Sequence, residues 1–297
     1  MLSESFADFQ NRTLAPLAEK LGEQGSGLDL LIVPGALAGL PVHAARLGDE
    51  PIYRRFVRTV YEPTLAAPGL GQRDWHHPRT ALCILSDPSS ERRRLMAAPK
   101  ETLEVAAALA ALGTDVSIVA SVGENCGAKV FADRGLAIPP GVSIIENRPT
   151  RDWLGSNLAN WDHVFYSGHG HVDGLLIVDD EGHEASLSAA EILGFSALSR
   201  SPTFLLNACE SAYESGASTA EFFSVSSCLL RIGARAVIGA LWLVRDVVAG
   251  EFSRAFYAAL QPTPDPFSAF RAALDAIRSS SSNGLIDWGA YVALAAG

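Results

Sequence analysis

Two polar runs in this chain each follow an apolar stretch and contain a side chain able to do covalent or acid–base chemistry. One is Tyr166-Ser167-Gly168-His169-Gly170-His171, the other Leu206-Asn207-Ala208-Cys209-Glu210-Ser211. A free thiol is only a few per cent ionised at pH 7, so it needs a nearby base to deliver thiolate. Histidine titrates close to neutrality and can then return the proton to a leaving amine. Glycines beside His169 let the backbone come close to a substrate. The Gly170 N–H could then join the Cys209 N–H as an oxyanion hole, worth roughly 3 kcal/mol per donor. Spacing alone leaves the plainer reading open: a strand-end cysteine is usually an inert small hydrophobe, and a histidine between glycines is often a turn residue.

For the two side chains to meet, both runs must emerge at one edge of a sheet. The apolar runs predict this. Leu30–Val33, Thr80–Leu85, Asp115–Ala120, Trp161–Ser167, Thr203–Asn207 and Ala234–Leu241 read as short continuous strands. Between and after them the spacing predicts helices over Lys100–Leu112, Arg151–Leu158 (capped by Thr150), Ser188–Leu193, Thr219–Ile232, Asp246–Leu260 and Pro266–Arg278. An N-terminal helix is expected over Ser3–Leu21. Strands alternating with helices, and apolar throughout rather than every second residue, belong to a mostly parallel sheet covered on both faces. Reactive groups in such sheets gather beyond the carboxyl ends of the strands, where both runs fall. The Pro- and Gly-rich stretch Ala67–Arg79 is the best internal boundary, and Ser121–Gly141 carries no readable pattern.

Composition narrows the function. Of 297 residues, 48% are hydrophobic and 19% charged, enough for a large core and too apolar for a disordered chain. A formal net charge of -10 argues against a nucleic-acid partner, since phosphate contacts need a basic face. Met1–Arg12 carries Glu4 and Asp8 and no apolar run, and the longest apolar stretch, Ala236–Val244, is far too short to span a bilayer. The expectation is a cytoplasmic protein with no membrane contact. The four cysteines are scattered with no C-x-x-C pair, so neither a disulfide framework nor a zinc site is expected.

From the histidine and cysteine runs outward, the chain resembles the CHAT domains, the separase-related branch of the caspase-like peptidases. NRPTRDWLGSNL (Asn147–Leu158) is similar to the helix before the family's histidine strand. WDHVFYSGHG (Trp161–Gly170) and FLLNACES (Phe204–Ser211) resemble its histidine and cysteine motifs. GARAVIGALWLVRD (Gly233–Asp246) resembles the Gly-Ala-Arg strand and Leu-Trp turn, DWGAYVAL (Asp287–Leu294) the terminal strand, and LIVPGALAGLPVHA (Leu31–Ala44) the N-terminal strand. The resemblance implies a caspase-like α/β domain with a mostly parallel central sheet and helices on both faces. A smaller pseudo-protease-like half, residues 1–79, would precede a catalytic portion, residues 80–297. It places the catalytic histidine on His169 and the nucleophile on Cys209, and needs no metal or cofactor. A protein substrate, a regulatory or sensor partner and a bacterial defence or death-signalling setting are implied with it. The segment after the Leu-Trp pair places Asp246 near the active site, where a carboxylate would favour Arg or Lys before the cut. The alternative is that Asp246 caps the helix that follows it. The rival to an endopeptidase is a silent scaffold of the same fold.

The remaining candidates take plainer readings. His171 and His183, with Asp173, Asp179 and Asp180, fit no tight metal-ligand spacing and read as a solvated loop. Trp75-His76-His77-Pro78 reads as a surface loop. The glycines around His169 miss the dinucleotide fingerprint by one residue. Cys228 shares a helix face with Phe222, Val225 and Leu229 and reads as core.

Overall fold

The computed structural model describes residues 30–34, 40–47, 49–56, 58–62, 74–88, 94–213, 224–280 and 284–295, with residues 12, 16, 19 and 20. Most of the helix expected over Ser3–Leu21, most of the Ala67–Arg79 boundary, and the first part of the Thr219–Ile232 helix lie outside the described residues. Strands run in chain order as β1 Leu30–Pro34, β2 Arg46–Leu47, β3 Glu50–Pro51, β4 Arg58–Glu62, β5 Thr80–Asp87, β6 Asp115–Val122 and β7 Asn125–Cys126. They continue with β8 Val142–Ile145, β9 His163–Gly168, β10 Gly170–His171, β11 Gly174–Val178 and β12 Glu184–Ser188. The last are β13 Thr203–Asn207, β14 Ala236–Ala240 and β15 Tyr291–Ala295. The helices are α1 Ala98–Ala111, α2 Lys129–Ala132, α3 Arg151–Asn157, α4 Ala189–Leu193, α5 Val225–Arg231, α6 Asp246–Leu260, α7 Pro266–Ser279 and α8 Leu285–Trp288.

Ten strands form the main sheet, in the order β1-β4-β15-β14-β13-β9-β5-β6-β7 with β8 also on β6. All pairings are parallel except β14–β15 and β6–β7. Strands from residues 30–62 and strands beyond residue 79 therefore share one sheet. The central strands explain why alternation was absent from the sequence: both faces are buried. Val164 and Tyr166 of β9 enter one core with Leu82, Ile84, Phe204 and Leu206, packed under α3, α4 and α5. Phe165, between them, enters the other core with Cys83, Leu85, Leu205 and Ile238, under α1, α6 and α7. Cys228 is fully buried in the first core, as its helix face suggested.

Local chemistry sets the helix starts. The Thr150 hydroxyl accepts from the Trp153 N–H at 3.3 Å, and Ser188 with Glu191 closes a capping box at α4. Ser224 and Ser227 do the same for α5. The elements that the pattern missed are short or at the edge. The hairpin β11–β12 and strand β10 follow His169 directly, β8 pairs at the β6 edge, and the patternless Ser121–Gly141 holds the end of β6, then β7 and α2. Among the described residues no helix is long and apolar enough to cross a membrane.

Phe165 is fully buried and meets Tyr257 edge-on, with ring centroids 6.0 Å apart. Phe165→Ala is expected to lower unfolding free energy by about 3–5 kcal/mol in urea titrations. A loss below about 1 kcal/mol would show that the core beneath the histidine strand is not packed as described.

Candidate active site

Strands β9 and β13 are neighbours, parallel, and in register from His163↔Thr203 to Ser167↔Asn207. His169 and Cys209 each follow two residues after the last of these pairs, so the sheet delivers both to one rim. Gly170 shows how closely the two runs pack. A Cβ built there would lie 2.3 Å from the Cys209 carbonyl oxygen and 3.0 Å from Ala208 Cβ. Only a residue without a side chain allows this approach. His169, Cys209 and Asp246 line the same small cavity, of about 30 Å³, together with Glu101, Ser167, Asn207, Val244 and Tyr291.

The main chain of His169 is held in place, and its ring faces a carboxylate. Tyr166 is buried and directs its hydroxyl at two carbonyls, that of His169 at 3.1 Å and that of Leu176 at 2.6 Å. The Leu176 N–H returns a bond to the His169 carbonyl at 3.0 Å. On the ring itself, Nε2 lies 3.4 Å from Oδ1 of Asp87, whose side chain is 2% exposed. That distance is ion-pair range, but the buried Nε2 makes no hydrogen bond. Asp87 ends β5, the strand on the other side of β9, and its Oδ2 accepts the Leu95 N–H at 3.1 Å.

The thiol is half-buried, and burial pushes its pKa up from the ordinary value. The main-chain N–H of Val244, which donates to Sγ at 3.4 Å, pulls the other way, while the Glu210 carboxylate adds to the rise. Without a base the sulfur is therefore held as a thiol. Glu210 has φ +56°, a left-handed conformation that is strained for a side-chain-bearing residue. Ser211 holds this turn in place: its hydroxyl accepts the Ala240 N–H at 3.1 Å, and its carbonyl accepts from the Ser226 hydroxyl at 2.9 Å. A Cβ on Gly239 would come within 2.8 Å of that Ser211 hydroxyl, which accounts for the glycine in β14.

Below the cavity sits a carboxyl that no motif in the sequence marks. Glu101, in the first turn of α1, is 5% exposed. Its Oε2 accepts from the Ser167 hydroxyl at 2.9 Å, and its Oε1 accepts from Asn207 Nδ2. Asn207 also donates to the Ala249 carbonyl at 3.0 Å and the Ser253 hydroxyl at 2.9 Å, and accepts from the Tyr291 hydroxyl at 2.7 Å. One carboxyl thus bridges the last paired residues of the histidine and cysteine strands. Burial raises its pKa from 4.5 to about 7, against the lowering effect of its Ser253, Ser167 and Asn207 hydrogen bonds. A glutamate in an Ala-rich helix gives no signal of this. The only hint was a polar Asn closing an apolar strand.

Asp246 resolves differently from its helix-cap alternative. It is the first residue of α6, whose N-cap is Arg245 with no side-chain cap bond. Its Oδ2 instead accepts the Ala97 N–H at 3.0 Å, securing the entrance to α1 across the cavity. His171 and His183 stay apart from the cavity: His171 Nε2 pairs with the Ser186 hydroxyl at 3.0 Å, and His183 closes the β11–β12 turn on Asp179. Asp179, Glu181 and His183 do converge within 4.8 Å at that turn, with the latter two exposed. The Trp75–Pro78 segment is no plain surface loop, because it lines a cleft at the opposite rim.

The sequence matches the CHAT domain family over residues 5–296. No curated protein sequence matches it. Among solved structures it is similar to the separase of the Saccharomyces cerevisiae separase–securin complex, with TM-score 0.55 and 14% identity over 91% of this chain. A structure described as a protease aligns with TM-score 0.52 and 12% identity, over 98% of this chain and 68% of its own. The Arg-specific cysteine proteinase gingipain R aligns with TM-score 0.45 and 12% identity over 74% of this chain. The chain spans only 15% of the separase and 46% of the gingipain. At these identities the likeness to the separase and the protease shows the fold alone, a caspase-like α/β fold.

Two outcomes test this geometry. Because its folded pKa is raised, Glu101 contributes stability below about pH 4.5 that is lost as pH rises through about 7. Glu101→Gln should flatten that fall, which amounts to roughly 3 kcal/mol in paired urea titrations at pH 5 and pH 8; equal slopes in both proteins would refute the buried carboxyl. Gly170→Ala should leave the fold intact by circular dichroism and change the rate at which iodoacetamide reaches Cys209, since the new methyl displaces its carbonyl. An unchanged rate would count against the contact.

Proposed function

Because the chain belongs to the CHAT domain family, we propose that it is a cysteine endopeptidase cutting a protein substrate through His169 and Cys209. The single observation that carries this reading is that the thiol and the imidazole, from adjacent parallel strands, open onto one cavity. With Nε2 turned to Asp87, Nδ1 is the nitrogen that takes the thiol proton. Sγ then attacks the peptide carbonyl carbon, and the main-chain N–H groups of Gly170 and Cys209 receive the oxyanion. As the tetrahedral intermediate collapses, the imidazolium gives its proton to the departing amine and a thioester remains. Water, deprotonated by His169, attacks the thioester and restores the thiol. Asp87 positions the ring while the thiolate attacks.

Asp246 supplies the preference in this reading. Its Oδ2 is engaged by the Ala97 amide, and the residue lines the cavity beside Cys209, so Arg or Lys before the cut would pair with its charge. A cavity of about 30 Å³ holds about two waters and no such side chain. The site must widen before it can bind, and the thiol is not pre-ionised. Both features fit a peptidase switched on by a regulatory partner, acting in bacterial defence or death signalling in the cytoplasm. The division into a pseudo-protease-like portion, residues 1–79, and a catalytic portion, residues 80–297, belongs to the same reading.

Comparing new protein N-termini in cells carrying wild type or Cys209→Ala tests the proposal. Cleavages lost in Cys209→Ala and in His169→Ala, each by at least about a hundredfold, are expected. Identical N-termini, with the biological response intact in Cys209→Ala, would instead assign a scaffold role. Once a cut is known, Asp246→Asn should lower kcat/KM for an Arg peptide by at least about tenfold and leave a Met peptide little changed. Equal losses on both peptides would remove Asp246 from substrate recognition. Asp87→Asn should lower kcat by at least about tenfold on every substrate.

A further inference from the structure

A carboxylate buried under a thiol is an unfavourable choice for stability, and Glu101 is one. Its donors are neutral: the Ser167 hydroxyl at 2.9 Å, the Asn207 amide and the Ser253 hydroxyl. Burial outweighs those bonds and raises its pKa from 4.5 to about 7, so its ionised form opposes folding. A glutamine of the same shape would fill the space, keep one oxygen as an acceptor and carry no charge. Groups held against stability in this way are typical of functional sites.

The hydrogen bonds show what the charge does. With two bare oxygens, the carboxylate accepts from β9 through Ser167 and from β13 through Asn207 at once. Protonation changes that. The acid's own O–H then needs an acceptor, and the Asn207 amide nitrogen can only donate. A serine hydroxyl can accept it, but that hydroxyl then stops donating to Glu101. The remaining bonds weaken as well, because bonds to an ionised acceptor are roughly twice as strong as neutral ones.

We propose that Glu101 is a positioning residue of the dyad, its carboxylate drawing Ser167 and Asn207 to one point and so setting the approach of His169 to Cys209. The inference rests on the peptidase reading of those two residues. Each of them stands two residues beyond its tie, so a shift at the strand ends is carried straight to the rim. The neighbouring charges leave this role to Glu101. On α6, Asp246 adds to the rise in its pKa, and Arg254, the nearby cation, is paired with Glu104 at 3.5 Å. Tyr257 and Tyr291 have their own phenols raised chiefly by burial and in part by its charge. On the β5 face that packs against α1 stand Cys83 and Asp87, the latter bonded to the Leu95 N–H.

Alkylation of Cys209 by iodoacetamide, followed on its own peptide in the purified chain, tests this at pH 6 and pH 8, on either side of the Glu101 titration. Glu101→Gln keeps the network uncharged at both values. It should label as fast as wild type at pH 6 and at least about fivefold more slowly at pH 8. Ser167→Ala, which cuts only the β9 tie, should also slow labelling at pH 8, and it decides the matter if thermal melting shows Glu101→Gln to be unfolded. In a His169→Ala background Glu101→Gln should have no further effect, because its influence passes through the imidazole. A ratio of wild type to Glu101→Gln that is the same at both pH values would overturn the inference, as would unslowed labelling of Ser167→Ala. A rate that depends on His169 but not on Glu101 would overturn this inference alone. A rate indifferent to His169→Ala would overturn the dyad reading and this inference with it.

Discussion

A carboxyl buried between two strand ends is the constraint on which the rest of this site depends. Glu101 cannot be left without donors where it sits, because desolvation there already pushes its pKa to about 7. Ser167 and Asn207 supply two of its donors, beside Ser253, and these two are the last paired residues of the histidine and cysteine strands. Satisfying one side chain therefore fixes the separation of two strands at the rim where their reactive residues emerge. Ala249 and Ser253 of α6 and Tyr291 of β15 complete the bonding of Asn207, so the helix that begins with Asp246 is tied to the same point. Networks of this kind hold only when every member is paired, and here each named atom is.

The sheet above that network gathers different side chains at its two ends. At the carboxyl rim the cavity is small, the thiol is kept protonated by its burial, and Asp87, Glu101 and Asp246 stand near it. At the amino rim a wider cleft collects arginines from three strand entrances around a single engaged carboxylate. Parallel strands make this separation possible, since every connection must return across the sheet and each rim gathers residues distant in sequence.

Strain is concentrated next to the thiol. Glu210 adopts a left-handed backbone directly after Cys209, and the cost is held by the buried Ser211 and by its bonds to Ala240 and Ser226. Gly170 and Gly239 are the complementary allowances: each leaves out a side chain where backbone or hydroxyl would otherwise collide. The turn that presents the sulfur is thus built by its neighbours as much as by its own residues.

The sequence by itself determined the layer order and most element positions. Continuous apolar runs such as Phe204–Leu206 announced strands buried on both faces, and Thr150 and Ser188 announced helix starts, because these signals are local. The fully described helix over Asp246–Leu260 was read to its last residue. The family was legible as well, because ordered motifs spread along the chain carry more information than any one of them. What only the tertiary structure decided were the partnerships. Asp87 comes to His169, Glu101 to Asn207, Asp246 to Ala97, and Trp75 with Arg235 to the far cleft. These pairs are far apart along the chain, and a carboxylate in a helix or after a strand looks the same in sequence whether it faces water or is buried under a thiol. Spacing encodes periodicity, whereas burial, desolvation and the choice of a hydrogen-bond donor arise only when separate strands are brought side by side.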